Sequence, residues 1–301
     1  MLEKKARDRG QDQEQRRGDP EHPVTRGRIC VKGKKLLERL YHPQRLLAPR
    51  LKDGEKWKTI PWETAIDIVA RQFENTIQTS GRHAILYYAD SGYGGLVKSV
   101  DRLFFNRLGG VTMPRGSLCW AAGMAAQRYD FGDVRGHAPH DLVQARCIVI
   151  WGRNPVATNP HLMPFLQKAR QQGARLIVID PIKTLSARQA DIHLQPRPGT
   201  DGALAWGLCH HLIKANAYDQ KFVDKYCIGF QAFARSAEKF TPEFVQQQTG
   251  VERQTFNTLA EMISDKLPRI SVFPGIGLEH QENGVNDVRT IACLAALCGA
   301  I

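Results

Sequence analysis

No stretch of this sequence is apolar for the roughly 18 residues that a membrane span requires, so direct membrane insertion is not expected. The first 29 residues contain no cysteine, and the seven that follow (Cys30, Cys119, Cys147, Cys209, Cys227, Cys293 and Cys298) are odd in number and widely spread. That distribution argues against a disulfide framework and suits a reducing compartment, which makes the cytoplasm the expected location. Arg16-Arg17 is followed by Gly-Asp-Pro-Glu-His-Pro where an export signal needs an apolar run. Periplasmic export of a longer protein stays open. His137, His140, His210 and His211 lack zinc-site spacing, and Gly116-Ser-Leu-Cys119 lacks the Gly-x-Ser-x-Gly elbow of a serine hydrolase. Asp90-Ser-Gly-Tyr-Gly-Gly95 lacks the third glycine spacing of a plain NAD-binding domain.

What is present is a 301-residue chain with 42% apolar side chains, enough to bury one large core or two ordinary ones. Its net charge of +12 is uneven, with most of the excess before Lys58, in runs such as Lys32-Gly-Lys-Lys35. A solvated face is the common meaning of such a run, and an anionic cofactor is another. Nucleic acid is not the expected partner, because the chain has no arginine-rich helix and no alternation of aromatic and basic residues.

Residues 1–17 are almost wholly charged or amide side chains and are expected to be disordered. Residues 18–53, rich in proline, glycine and basic side chains, suggest an irregular strap. Apolar residues from Trp62 to Ile77 recur at helical spacing, with Gly81 as a stop. Ala84–Ala89 reads as a short buried strand, with a helix across Val97–Leu108. Strands follow at Cys147–Trp151 and Arg175–Ile179, with a helix at His161–Gln172 between them. Helices around Ala203–Ala215 and Phe244–Leu267, a strand at Ile270–Phe273 and an apolar helix at Val288–Cys298 complete the pattern. Strands alternating with helices at this interval imply βαβ units and a parallel sheet, an α/β fold. The last helix has no closing cap, so a continuation beyond Ile301 is expected.

In such a sheet, ligands bind beyond the carboxyl ends of the strands. There the sequence has Gly152-Arg-Asn-Pro155, Asp180-Pro181, and Pro198-Gly-Thr-Asp201 opening the next helix. Glycine allows close backbone approach. Thr200 and Asp201 can cap a helix whose first N–H groups favour a phosphate, and a carboxylate can take ribose hydroxyls or guanine N–H donors. Together these pieces describe a nucleotide cradle. Singly, each is also consistent with an ordinary turn.

The series Gly27-Arg-Ile-Cys-Val-Lys-Gly33, His42-Pro-Gln-Arg-Leu46, Trp57-Lys-Thr-Ile-Pro-Trp-Glu-Thr-Ala65, Gly152-Arg-Asn-Pro155, Val178-Ile-Asp-Pro181 and Arg197-Pro-Gly-Thr-Asp201 closely resembles the large subunit of the molybdopterin-dependent dimethyl sulfoxide reductase and formate dehydrogenase family. Gly275-Ile-Gly-Leu-Glu-His-Gln-Glu-Asn-Gly284 is similar to a further segment of it. The resemblance covers residues from about Gly18 to the end, and the motifs occur in the family's order.

It implies an oxidoreductase acting on a small substrate, with two pyranopterin guanine dinucleotides holding molybdenum or tungsten. An electron-transfer subunit is an implied partner. On this resemblance Gly152, Asn154, Asp180, Pro198, Gly199, Thr200 and Asp201 would bind one guanine dinucleotide. Cys119, about 33 residues before Gly152, would be the catalytic metal ligand, a soft donor suited to a metal held by sulfur; the alternative is a buried small apolar residue at a helix start. Trp120 stands where formate dehydrogenases carry histidine, which removes support for formate oxidation. Cys30 matches the last of four cysteines that hold a 4Fe-4S cluster in the family, so it would be an iron ligand only with three upstream cysteines, and the cluster is expected of a complete protein and not of this chain alone. Lys32 resembles the lysine between cluster and pterin, with an exposed lysine as the alternative. The implied organisation is a remnant of the iron–sulfur domain and strap over residues 18–58, then an incomplete pterin-binding α/β region over 59–301, as one domain or as two interleaved α/β domains. The other readings of the chain are an inactive fragment and a nucleotide-binding domain without redox chemistry.

Overall fold

A computed structural model describes residues 18–89, 97–134 and 136–301. The expected disordered stretch 1–17, with its Arg16-Arg17 pair, and the Asp90–Gly95 segment lie outside the described residues. The described chain divides into two units, residues 31–118 and residues 18–30 with 119–301.

In the first unit, strands β1 (Arg50–Asp53) and β2 (Lys56–Thr59) form an antiparallel hairpin. Gly54 at its tip has φ 58°, a conformation glycine adopts without steric cost. Helix α1 (Trp62–Ser80) ends as its spacing predicts, at Gly81 with φ 80°. Its Phe73 packs against Phe104 and Phe105 of helix α2 (Val100–Arg107). The expected buried strand at Ala84–Ala89 is not formed. Arg82–Ala84 is a single 3-10 turn, Leu86 makes one isolated bridge to Thr112, and Leu86 and Tyr88 are exposed. An apolar run of this length marks burial of only some of its residues, here Ile85.

The second unit contains the sheet. After helix α3 (Ala121–Phe131) come β3 (Cys147–Trp151), helix α4 (Met163–Gln171), β4 (Arg175–Ile179) and β5 (Ile192–Leu194). Helices α5 (Asp201–Lys214), α6 (Gln220–Tyr226), α7 (Phe230–Ala237), α8 (Pro242–Thr249) and α9 (Arg253–Lys266) follow, then β6 (Ile270–Pro274) and α10 (Gly284–Leu297). The strands are parallel, in the order β5-β4-β3-β6. The α/β class and the parallel βαβ units read from the sequence are therefore present.

Strand β3 is buried throughout because both its faces are covered. Cys147, Val149 and Trp151 face a core built from α5, α8, α9 and α10, while Ile148 and Ile150 face Phe165, Leu166 and Ala169 of α4. Each fully buried aliphatic side chain here contributes about 1.5–3 kcal/mol. The helix expected across Phe244–Leu267 is two helices. Gly250, at φ 75°, closes α8, and Thr241 and Pro242 open it with a side-chain cap on the Phe244 amide. A left-handed glycine stops the first helix although the apolar spacing continues past it.

Candidate functional site

All four parallel strands end level. Trp151 lies opposite Ile179 on one side and Pro274 on the other, and Ile179 lies opposite Leu194. The chain runs outward from β3 to β4 and β5, then returns to place β6 on the other side of β3. That reversal makes the gap between the β3 and β6 loops the switch point, where open α/β sheets bind ligands.

Glycines set the geometry there. Gly152 has φ 60°, its amide donates to Ile179 O at 2.8 Å, and Gly275 N donates to Trp151 O at 2.8 Å. A Cβ at Gly275 would lie 2.4 Å from Gly152 O, and one at Gly277 2.9 Å from the same oxygen. Only residues without a Cβ let the two loops approach so closely. Asn154, next in the β3 loop, is half-buried and its Oδ1 accepts the Ser186 hydroxyl at 2.8 Å.

Asp180 leaves β4 half-buried. Its amide donates to Leu194 O, and one carboxylate oxygen accepts the Ile182 amide at 3.1 Å. Partial burial raises its pKa, against smaller lowering effects from Ile182 and His193. Asp201, the first residue of α5, is buried and accepts the Trp151 indole N–H at 2.7 Å. Burial raises its pKa too, the indole opposes that, and the charge of Asp180 adds to it.

The expected capping of α5 differs in detail. Thr200 makes no side-chain cap; its hydroxyl donates to Arg197 O at 2.7 Å. The Gly202 amide is already taken by Asp287, whose Oδ1 would lie 2.4 Å from a Cβ at Gly202. This amide is thus not open to a phosphate, because a carboxylate from α10 fills the place. Asp287 is 1% exposed, and its pKa is pushed up to about 6, first by burial and then by the charge of Asp201. Exposed Pro198 leads into Gly199 and Thr200, which line a cavity of about 260 Å³ with Trp206, Phe244, Asn283 and Asp287. Gly199 has φ 79°, and Gln281 lies against it, 3.3 Å from where a Cβ would be.

The segment Gly275–Gly284 is therefore the hub. It touches Gly152 through Gly275, Gly277 and Leu278, and Gly199 through Gln281. Through Glu279 it reaches Gly123 in α3: Oε2 accepts the Gly123 amide at 2.7 Å. Sequence reasoning identified this segment by resemblance but assigned none of its residues a role. Asp287 and Glu279 were missed because their partners are far away in the chain.

Cys119 is exposed, two residues ahead of the first residue of α3. By contrast Cys147, Cys209 and Cys298 are buried, and burial raises all three thiol pKa values, Cys147 to about 12. Cys30 is half-buried in the same unit as Cys119. Lys32 is exposed, on a single helical turn of the other unit.

A family model described as "Molybdopterin oxidoreductase" matches residues 45–301, and one described as "Molybdopterin oxidoreductase Fe4S4 domain" matches residues 8–42. The chain is 37% identical over 290 residues to the probable oxidoreductase YoaE of Bacillus subtilis, covering 94% of this chain and 42% of that protein. It is 32% identical over 312 residues to the dimethyl sulfoxide reductase DmsA of Escherichia coli, covering 91% and 38%. Among solved structures, acetylene hydratase from Pelobacter acetylenicus superposes with a TM-score of 0.73 at 25% identity, covering 93% of this chain and 39% of that one. The chain thus spans about two fifths of the length of these relatives.

The residues present fit the two implied groups differently. Close-set glycines and the half-buried Asp180 at level strand ends fit the main-chain cradle that a dinucleotide needs, and an exposed thiol fits a metal already bound to sulfur. Four thiolates are needed for a 4Fe-4S cluster, and residues 8–42 contain one cysteine, Cys30. Among the described residues no group of three or more His, Cys, Asp or Glu side chains is placed to hold a metal. The residues of this chain do not by themselves fit the cluster.

Proposed function

Because the chain belongs to the molybdopterin oxidoreductase family, we propose that it is part of a catalytic subunit for redox conversion of a small substrate at a molybdenum or tungsten centre held by two pyranopterin guanine dinucleotides. The observation that carries this reading is the level ending of four parallel strands, with Gly275 and Gly277 packed on the Gly152 main chain too closely for any Cβ at the switch point.

In this reading Gly152 and Gly199 let the main chain approach the dinucleotide, and Asn154, oriented by Ser186, offers its remaining amide hydrogen-bonding capacity. Asp180 accepts from ribose hydroxyls or guanine N–H groups with the carboxylate oxygen not committed to Ile182. Asp201 acts differently from a surface ligand: tied to Trp151, it holds the start of α5 to the end of β3, so that Pro198, Gly199 and Thr200 present their turn from a fixed position. The thiolate of Cys119 ligates the metal. When bound, the cofactor supplies a metal that changes oxidation state as the substrate is converted. The protein's part is to bind, orient and tune it.

Electrons must enter or leave, and an electron-transfer subunit is the partner this reading requires. No helix of the described residues is long and apolar enough to cross a membrane. The cysteine distribution supports a cytoplasmic setting.

Metal analysis of protein produced in cells that make the cofactor tests this function. Molybdenum or tungsten approaching one per chain supports it, and nucleotide without metal indicates a binding domain instead.

A further inference from the structure

Glu279 reaches from the loop after β6 to the start of α3, 156 residues earlier. Its Oε2 accepts the Gly123 amide at 2.7 Å, and its carboxylate also accepts from the Ala122 amide. These are among the first N–H groups of α3, which no carbonyl of the helix itself can take. Trp120, at the N-cap, offers no side-chain acceptor. Glu279 therefore caps α3 from a distant segment.

The carboxylate is tightly held. A Cβ at Gly123 would lie 2.6 Å from Glu279 Oε1, and a Cβ at Gly284 would lie 2.6 Å from the Glu279 carbonyl oxygen. Glycine is needed on both sides for this approach. The other end of α3 is fixed as well, since Asp130 pairs with Arg289 of α10 at 2.8 Å. Yet Glu279 is 8% exposed and its Oε1 has no hydrogen-bond partner among the described residues. Leaving a buried oxygen unpaired is costly, and a serine or aspartate at position 120 could cap the same helix from the surface. Capping alone does not account for a buried glutamate clamped between two glycines.

What lies at the clamped end does. Only Trp120 separates Cys119 from α3, so the position of the helix start fixes the position of the thiol. The other end of the clamp is the loop that packs on Gly152. We propose that Glu279 is a positioning residue for Cys119, holding the thiol in register with the glycine-lined strand ends. The inference rests on the reading of Cys119 as the metal's protein ligand.

The test compares cofactor-loaded wild type with Glu279→Ala, Glu279→Gln, Gly123→Ala and Cys119→Ser, reading hydrogen exchange at the Ala122 and Gly123 amides and the electron paramagnetic resonance of the metal. In Glu279→Ala, exchange at the two amides should rise at least tenfold and the metal signal should shift. Glu279→Gln, which keeps an acceptor oxygen, should restore both. Gly123→Ala keeps the carboxylate but forces it off the helix start, and should reproduce Glu279→Ala even where that variant folds poorly. A wild-type metal signal in Glu279→Ala or Gly123→Ala, with faster exchange and with Cys119→Ser clearly altered, overturns the positioning role alone. A wild-type signal in Cys119→Ser overturns the ligand reading and this inference with it.

Discussion

The indole N–H of Trp151 donates to Asp201 Oδ1 at 2.7 Å, joining the last residue of β3 to the first residue of α5 inside the core. A hydrogen bond to a charged group contributes about 1.5–3 kcal/mol. Trp151→Phe removes the donor and leaves Asp201 buried without it. Equilibrium urea unfolding should show a loss of that order or somewhat more, given the smaller ring. Unchanged stability would mean that Asp201 finds another donor and that the brace is dispensable.

Asp287 gives the fold a defined pH dependence. Its folded value of about 6 lies above the ordinary 3.8, so the folded chain holds an extra proton between those two values. The stabilisation from that proton is complete below about pH 4 and is lost as the pH rises through about 6. Asp287→Asn keeps an acceptor for Gly202 and removes the titration. The variant should gain on wild type between pH 4 and pH 8, by roughly 2–3 kcal/mol for a shift of about two pH units. Parallel melting-temperature profiles for the two proteins would refute this.

Gly275→Ala brings a Cβ to 2.4 Å from Gly152 O, a contact with backbone that cannot swing aside. Overpacking of this kind costs about 1–3 kcal/mol, and separation of the β3 and β6 loops should also release bound cofactor. Gly136→Ala, where nothing lies within 4 Å of the added carbon, is the control and should leave melting temperature and cofactor content as in wild type. Equal behaviour of the two variants would show that close approach at the switch point is not what glycine provides.

Asp180→Ala separates binding from folding. The side chain is half-buried and makes one short-range bond to the Ile182 amide, so the loss of stability should stay within about 1 kcal/mol. Loss of a charged acceptor should weaken retention of the guanine dinucleotide by about ten- to a hundredfold. Nucleotide content after gel filtration measures it, and full retention would remove Asp180 from the site.

Much of this architecture was legible because it is local. Cys147–Trp151 and Arg175–Ile179 are short apolar runs of the kind that strands covered on both faces require, and the glycine and aspartate residues that follow them stand where the ligand end of the sheet had to be. Local reading failed at Ala84–Ala89, where alternate residues are exposed, and at Gly250, where one left-handed residue divides a helix. Glu279 and Asp287 were illegible for another reason. Each is a buried carboxylate that serves the start of a helix far away in sequence, and no spacing rule within a single element marks such a partner.

The most direct measurement is the ratio of acid-released guanine nucleotide to metal in the purified protein. Two guanine nucleotides for each molybdenum or tungsten atom is the expected result, with both lost together in Gly275→Ala. Metal without guanine nucleotide, or neither in protein made by cells competent to synthesise the cofactor, would contradict the proposed guanine dinucleotide-bound metal centre.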